Sequence, residues 1–205
     1  MSTGAWVRTL PKSTYYETSK IKSNLRIEDL QLCLNILQYF VNGGHVFANF
    51  VGQRFDIEEM SIHEKGPGKE GRAVVEITVE KDMTNPYGTL HGACAAYLVD
   101  LCTSVPLVAL GIATGIDGSG MSQSMDIIYH SAAPVGCRLR IEATTLTIGG
   151  RIMAARCEML NKKNGKLLIS ATHTKINPYG SSNPKIKKAG DKDKEEQKEK
   201  EKAKL

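Results

Sequence analysis

The segment from Gly92 to Leu110 is almost entirely apolar, and Asp100 is its only charged residue. A run of this length exceeds a typical strand, so it predicts a helix that is buried around most of its circumference. Pro106 is expected to end or kink this helix near its last turn, because proline lacks the backbone N–H that a helix uses. Such a helix needs apolar cover on several sides, which constrains the rest of the fold.

Runs with strand character lie on both sides of that helix. Two precede it, at residues 57–64 and 73–79, and four follow it, at residues 121–129, 139–148, 152–160 and 167–176. The sequence GPGKEG between the first two is turn-like in composition. Gly149-Gly150 and Asn164-Gly165 predict two-residue hairpin turns in which glycine supplies a positive φ, so the last three runs should form an antiparallel meander. One antiparallel sheet wrapped around a single helix, an α+β fold, satisfies this order.

The N-terminal region predicts one further helix, over residues 27–41, because apolar residues recur there at helical spacing (Ile27, Leu30, Leu34, Leu37 and Val41). We therefore assign residues 1–44 to an N-terminal extension, residues 45–178 to the folded domain and residues 179–205 to a charged tail expected to be disordered. The basic residues before position 27 make a weak case for a mitochondrial presequence, which Glu17 and the low Arg content oppose.

Charge and composition exclude several functional classes. The net charge is +5, but the tail from Lys185 to Leu205 holds nine Lys and six Asp or Glu, a net charge of +3, so the rest of the chain is close to neutral. Without a cluster of Lys and Arg in the folded part, no nucleic-acid partner is expected. No uncharged apolar stretch of about 18 residues is present, so no membrane span is expected either.

The cysteines and histidines show no pattern of a metal site. The five cysteines are odd in number, lack CxxC pairing and follow no secretory signal, so free thiols in a reducing, intracellular compartment are expected. His45, His63, His130 and His173 lack ligand spacing with Cys or acidic residues. No metal and no cofactor are therefore assigned.

Asp100 needs an explanation, because a charged side chain inside an apolar helix is costly to bury without partners. Two interpretations stay open from the residues alone. In one, Asp100 is solvated or capped at an edge of the helix. In the other, it acts as a general base or a nucleophile.

His91 and Gly92 stand where the preceding loop turns into the long helix. A helix N-terminus presents free N–H groups and the positive end of the helix dipole, which suits a developing oxyanion. Gly92 would let a substrate carbonyl approach the backbone closely, and His91 could polarise the same oxygen. The alternative is structural: a glycine required by the turn and a histidine that caps the helix.

Helix geometry separates these groups. Nine residues place His91 and Asp100 about 180° apart around the helix and roughly 13 Å apart along it. They cannot meet at one reacting carbon within a single chain. If both act on one substrate, a second subunit completes the site, most simply in a twofold dimer.

Three elements of this region carry a family resemblance: Asn85, the run Gly88-Thr89-Leu90-His91-Gly92, and Val99-Asp100. Together they resemble the signature of the hotdog-fold acyl-CoA thioesterases, in particular the acyl-CoA thioesterase 13 and phenylacetyl-CoA thioesterase group. The similarity continues through residues 122–129, 165–167 and 173–175, and covers roughly residues 55–176. It implies a hotdog fold, with the N-terminal helix as an addition, in a homodimer or homotetramer that hydrolyses acyl-CoA to a free acid and CoA.

The resemblance also implies roles for individual residues. Asn85, His91 and the Gly92 N–H would orient and polarise the thioester carbonyl. From the opposite subunit, Asp100 would activate water or attack directly, and Ser122 would position the water or the carboxylate. CoA would lie along the sheet edge and subunit interface, and the residues implied for it are Tyr129, His130, Ser131, Thr147, Gly149, Gly150 and Arg151.

This chain departs from the family pattern in three places. Ala93 stands where a second glycine is common, Ser124 stands where the mammalian relative has Asp, and the loop at residues 111–120 is longer. None of these changes removes an implied catalytic group. Two other readings remain: a non-catalytic acyl-CoA-binding hotdog protein, and an enoyl-CoA hydratase or dehydratase on the same fold.

The sequence ends in Ala203-Lys204-Leu205, which is similar to the Ser-Lys-Leu class of peroxisomal addresses. The charged, low-complexity segment before it should leave the tripeptide accessible to an import receptor. Peroxisomal localisation is therefore expected, with mitochondrial or cytoplasmic localisation as the alternatives. A cytosolic signal from a fluorescent fusion with this free C-terminus would contradict it.

Overall fold

The computed structural model describes residues 6–42 and 46–177. The helices are α1 (Ile27–Asn42), the short α2 (Asn49–Gly52) and α3 (Gly92–Thr114). The strands are β1 (Lys22–Ser23), β2 (Asp56–Lys65), β3 (Gly68–Thr78), β4 (Met121–Tyr129), β5 (Arg138–Ile148), β6 (Ile152–Asn161) and β7 (Leu167–Ile176). The terminal tripeptide predicted as a peroxisomal address lies outside the described residues, as does His45.

The strands form one seven-stranded sheet in the order β1-β2-β3-β5-β6-β7-β4. All neighbours are antiparallel except β1, which pairs parallel to β2 at one edge. The predicted meander of β5, β6 and β7 is confirmed, and β4 pairs with β7 to form the other edge. The sheet wraps around α3, and α1 packs against α3 from its other side.

Helix α3 lies in the core and contacts six strands, from β2 to β7. Among the described residues it is the one helix with the length and apolar composition of a membrane span. Within its most apolar 18-residue stretch, 61% is buried inside the fold. Its burial against the sheet accounts for that composition. An end or a kink was predicted near Pro106; the end is wrong, because the helix continues to Thr114, and the kink stays a prediction. Packing along the whole helix outweighs the one hydrogen bond that proline removes.

Close packing of α3 on the sheet explains one glycine. A Cβ added to Gly71 of β3 would lie 2.4 Å from the carbonyl oxygen of Pro106, so only glycine fits where strand and helix cross. Gly71 was expected in a turn with Gly68, but both lie in β3 and the turn is confined to the preceding residues. Of the two predicted turns with a positive φ, the one at Gly165 is confirmed by its φ of 70°, whereas Gly149 lies outside the left-handed region.

The sheet face turned away from α3 carries a network of ion pairs around Glu76 of β3. The Glu76 carboxylate is almost fully buried and contacts Arg138 (3.3 Å), Arg140 (3.3 Å) and Lys162 (2.6 Å). Burial by itself would raise the pKa of Glu76, but hydrogen bonds and charge from Lys162 and Arg138 lower it below its ordinary value. The carboxylate therefore stays ionised and holds three cations together.

Replacing this carboxylate should destabilise the fold. Glu76→Ala leaves the three cations facing one another. We therefore expect the free energy of unfolding at pH 7 to fall by roughly 2 kcal/mol. This loss is smaller than that for a fully buried ion pair, because the cations are partly exposed to solvent. The lowered pKa means that the contribution is present above the ordinary Glu pKa and is lost as the pH falls through the folded value. Urea unfolding at pH 7 and pH 3.5 measures both effects. If the free energies of unfolding of wild type and variant differ by the same amount at both pH values, the role of the Glu76 charge is contradicted.

Candidate functional site

The first group of predicted site residues lies at the N-terminus of α3. Asn85 organises the loop before the helix, since its Oδ1 accepts from the Tyr87 N–H (3.0 Å) and its Nδ2 donates to Thr89 Oγ1 (3.0 Å). Thr89 forms an isolated bridge with Pro134, and the Leu90 N–H donates to Ala133 O. The Asn85 side chain therefore holds the loop that delivers His91 to the helix N-terminus.

His91 is the N-cap residue of α3, and its Nδ1 accepts from the Ala93 N–H at 3.0 Å. A ring nitrogen that accepts a backbone hydrogen bond carries no proton, so the neutral ring has its proton on Nε2. His91 is exposed, which leaves this N–H available to a ligand. The N–H groups of the first helical turn, beginning with Gly92, have no acceptor within the helix.

Gly92 is not required by the local fold. Its φ lies outside the left-handed region, and an added Cβ would meet only the Tyr129 ring, with Oη at 3.4 Å, an ordinary contact distance. Tyr129 Oη donates to the Gly92 carbonyl oxygen at 3.0 Å, which fixes the end of β4 beside the helix N-terminus. The turn interpretation of Gly92 therefore has little structural support, and the approach of a ligand to its backbone stays a prediction.

The second group lies two turns further along α3. Asp100 is partly exposed, with 40% of its side chain accessible, and Ser122 Oγ on β4 donates to its Oδ1 at 3.2 Å. The ladder between β4 and β7 shifts register between Ser122 and Ser124, so the two serines do not have equivalent partners. The structure thus brings together two of the predicted residues, Asp100 and Ser122, on neighbouring elements.

A cavity of about 580 Å³ opens beside Asp100 and Ser122. Its apolar walls come from one face of α1 and one face of α3, and the residues are Cys33, Ile36, Leu37, Phe40, Leu101, Val105 and Val108. From Asp100 to Val108 the cavity follows α3 for about 12 Å, since each residue rises 1.5 Å. Asp117, Ser119 and Asn177 add polar groups to its wall.

The two groups do not meet within one chain. His91 caps the start of α3 near Tyr129, whereas Asp100 lies beside Ser122 near the beginning of β4. Strand β4, which joins the two regions, forms an edge of the sheet and is exposed along its length, including Met125 and Ile128. An exposed edge strand with apolar side chains offers unpaired backbone groups to a second chain.

Comparison with known proteins identifies the family. Residues 87–168 match the thioesterase superfamily. Acyl-coenzyme A thioesterase 13 of Mus musculus is 34% identical over 119 residues, which cover 58% of this chain and 80% of the mouse protein. The Homo sapiens protein of the same name is 35% identical over 105 residues, covering 51% of this chain and 72% of the human one. This chain belongs to the thioesterase superfamily.

Solved structures agree with the fold of this thioesterase. The crystal structure of zebrafish thioesterase superfamily member 2 is 29% identical, with a TM-score of 0.56, and covers 70% of this chain and 96% of that one. A thioesterase protein from Streptococcus pneumoniae, solved with coenzyme A, is 24% identical with a TM-score of 0.50, covering 60% of this chain and 84% of that one, and shares the fold. The predicted family, hotdog fold class and thioesterase enzyme are confirmed.

The residues predicted to bind CoA fall into two places in this thioesterase. Tyr129 ends β4 near the start of α3, and His130 and Ser131 follow it. His130 Nε2 lies 2.8 Å from Ser170 Oγ. The other predicted residues lie in the hairpin between β5 and β6, at the opposite end of the sheet: Thr147, Gly149, Gly150 and Arg151. This placement follows from the register, because Ile152 pairs with Ile176 and Ile176 pairs with Met121 at the start of β4. Eight residues of extended strand separate the ends by roughly 26 Å.

Sequence reasoning missed two buried polar residues of β7, His173 and Lys175. His173 is fully buried, its Nδ1 lies 2.7 Å from Thr103 Oγ1, and its Nε2 lies 3.9 Å from Asp100 Oδ1. Lys175 is also buried and donates to Ser104 Oγ at 2.7 Å. The alternation of β7 places both residues on the inward face, and a polar pair at inward positions of a strand was the available signal.

Burial shifts the pKa values of both groups. Desolvation, together with the nearby Lys175 ammonium, lowers the pKa of His173 to about 4, against the opposing effect of Asp100. Desolvation also lowers the pKa of Lys175, and the Asp100 carboxylate opposes this. His173 is therefore neutral at pH 7. Among the described residues, no group of three His, Cys, Asp or Glu side chains is arranged to hold a metal ion.

Proposed function

We propose that this protein hydrolyses acyl-CoA thioesters to a carboxylic acid and free CoA. The observation that carries the proposal is the Asp100–Ser122 pair at the mouth of an apolar cavity. A carboxylate held by a hydroxyl donor and partly open to solvent can take a proton from water, and the cavity beside it can hold an acyl chain away from water. The relatives named acyl-coenzyme A thioesterase support this substrate class.

The two groups of residues take complementary roles in the proposed reaction. The thioester carbonyl oxygen accepts hydrogen bonds from the Gly92 N–H and from Nε2 of His91, while Asn85 holds the loop that positions them. Asp100 of the partner subunit removes a proton from water, whose oxygen adds to the carbonyl carbon. The C–S bond then breaks, and the CoA sulfur leaves with the proton. Direct attack by the Asp100 carboxylate is the alternative first step.

The proposed assembly is a twofold dimer formed along the β4 edge. Pairing of two β4 strands would cover the exposed edge and continue the sheet across both chains. It would also bring His91 and Gly92 of one chain toward Asp100 and Ser122 of the other. Tyr129, His130 and Ser131 of one chain and the Thr147–Arg151 hairpin of the other would then border the same CoA. A further association into a tetramer stays a prediction from the family resemblance.

A panel of acyl-CoAs from acetyl-CoA to palmitoyl-CoA, with phenylacetyl-CoA as the aromatic member, tests the activity by release of free thiol. Release of CoA with saturation kinetics supports the proposal. Tight binding without release would show a non-catalytic acyl-CoA-binding protein instead. Addition of water to an enoyl-CoA with the thioester intact would show a hydratase.

The cavity between α1 and α3 predicts which lengths of acyl chain the protein accepts. Val108 lines its far end and is almost fully buried, so Val108→Phe should fill that end without reaching Asp100. We expect kcat/KM for the longest accepted acyl-CoA to fall at least about tenfold, because a pocket discriminates strongly against chains that it cannot hold. The rate with acetyl-CoA should stay within about twofold, and it serves as the internal control. An equal loss for all chain lengths would place the acyl chain elsewhere.

A further inference from the structure

A second cavity lies along the same pair of helices as the cavity beside Asp100. It has a volume of about 1010 Å³, and its walls come from α1, α3, the loop that follows α3, and the β2–β3 side of the sheet. Leu32 of α1, Ile62 of β2 and Ile112 of α3 give it an aliphatic surface. A hydrocarbon chain can bind to such a surface.

The charged residues in the wall of this second cavity compensate one another. Three are cationic and three are acidic, and four of them form the ion pairs Arg26–Asp29 (2.8 Å) and Lys69–Glu64 (3.4 Å). The other two are Arg8 and Asp117. Because the wall has no net charge, it does not select a charged ligand, and an uncharged chain is the occupant that its aliphatic surface favours.

The two cavities follow one another along α1 and α3, which run antiparallel. Leu37 of α1 and Leu101 of α3 border the first cavity, whereas Leu32 of α1 and Ile112 of α3 border the second. Measured along α3 from Asp100, Val108 lies about 12 Å away and Ile112 about 18 Å away. Seen from Asp100, the second cavity therefore begins where the first one ends.

Ile36 of α1 and Val108 of α3 separate the two cavities. Both side chains border both cavities, and they are only 4% and 8% exposed. Asp117 and Ser119 also border both cavities, in a turn that is held by hydrogen bonds from the Ser119 N–H (2.9 Å) and Oγ (2.6 Å) to Asp117 Oδ1. A hydrocarbon chain that leaves the first cavity must therefore pass the two aliphatic side chains, Ile36 and Val108.

We infer that Ile36 and Val108 form a partition that limits the length of the acyl chain, and that the second cavity is an extension of the acyl site which this partition keeps closed. The inference rests on the proposed function and deepens it, since the occupant is the far end of the acyl chain of the substrate. Ile36 lies outside residues 87–168, the region of the family match. The family match by itself therefore implies nothing about this limit.

Helix geometry gives the expected limit. An extended chain advances roughly 1.2 Å per bond, so the 12 Å from Asp100 to Val108 hold about ten carbons. The further 6 Å or so to Ile112 hold about five more. We therefore expect wild-type kcat/KM to decline for acyl chains longer than about ten carbons.

Ile36→Ala tests the partition by removing most of one of its two side chains. The ratio of kcat/KM for myristoyl-CoA to kcat/KM for decanoyl-CoA should rise at least about tenfold above the wild-type ratio, because the added methylenes are buried instead of excluded. Ile36→Val removes one methyl group and should change the ratio in the same direction by less. An unchanged ratio in both folded variants overturns the inference.

Ile112→Phe, added to Ile36→Ala, tests whether the second cavity holds the end of the chain. Phenylalanine at position 112 fills part of that cavity from the side away from Asp100. The double variant should lose the gain and return to within about twofold of the wild-type ratio. If it keeps the gain, the longer chain ends elsewhere and the assignment of the second cavity is overturned.

Leu34→Ala is the matched control. Leu34 is a fully buried residue of α1 that belongs to neither wall, so its truncation loosens the packing of the helix without opening the partition. Its ratio should stay within about twofold of the wild-type ratio, and thermal unfolding shows whether the two alanine variants are destabilised alike. A tenfold gain in Leu34→Ala would overturn the inference, since a loosened α1 would then explain the effect.

Binding of the product acids separates this inference from the proposed function. Isothermal titration with decanoic and myristic acid measures the acyl site without turnover, and Ile36→Ala should favour myristic acid at least about tenfold more than the wild type does. Absence of CoA release by the wild type from every acyl-CoA overturns the proposed function. Wild-type release of CoA, with the same chain-length ratio and the same acid preference in Ile36→Ala, overturns the inference alone.

Discussion

The Asp100→Asn variant is expected to release CoA at least about a thousandfold more slowly than the wild type, while its fold and its affinity for acyl-CoA are retained. An amide of the same shape still accepts from Ser122 through Oδ1, but it cannot take a proton from water or attack the thioester. The side chain is partly exposed, so the amide that replaces it stays in contact with solvent. Thiol release under saturating acyl-CoA measures kcat, and isothermal titration with the variant measures binding.

Glu58→Gln is the matched control for this substitution. Glu58 is an exposed acid on β2, so the same acid-to-amide change there should leave kcat unaltered. If Asp100→Asn and the wild type release CoA at equal rates, Asp100 is neither base nor nucleophile. If the variant loses affinity and rate in proportion, Asp100 contributes to binding and the proposed mechanism is wrong.

Mixing two inactive variants should restore activity. In a site built from two chains, Asp100→Asn and His91→Ala homodimers each carry one defect in both sites. A mixed dimer carries both defects in one site and none in the other. Random exchange makes half of the dimers mixed, so co-refolding the two variants in equal amounts should recover about one quarter of the wild-type activity. Thiol release before and after co-refolding measures the gain.

The control for this experiment uses two defects from the same group. Asp100 and Ser122 lie together on one chain, so a mixed dimer of Asp100→Asn and Ser122→Ala has a defect in both sites. Its activity should not exceed the average of the two parent variants. Recovery in this control, or its absence in the mixture with His91→Ala, would show that the site is not divided between chains as proposed.

A charge on the exposed β4 edge, Ile128→Asp, should separate the subunits and abolish activity with every site residue intact.

Much of the fold was predictable because its elements have strong local signals. The apolar run that begins at Gly92 predicted α3, and glycine at position 165 predicted the turn between β6 and β7. The end of α3 was not predictable from Pro106, because the packing of β3 on the helix supports it beyond the proline. The parallel pairing of β1 was also missed, since two residues are too few to show a pattern.

The candidate site also has a part that the sequence predicts and a part that depends on the tertiary structure. The sequence by itself determined the motif from Asn85 to Asp100, the family, and the separation of His91 from Asp100, because helical geometry follows from residue number alone. Only the tertiary structure decided which side chains surround Asp100. Ser122 and His173 reach it through the register of β4 on β7 and the docking of α3 against the sheet. Those contacts join residues more than 20 positions apart, and no local pattern in the chain specifies them.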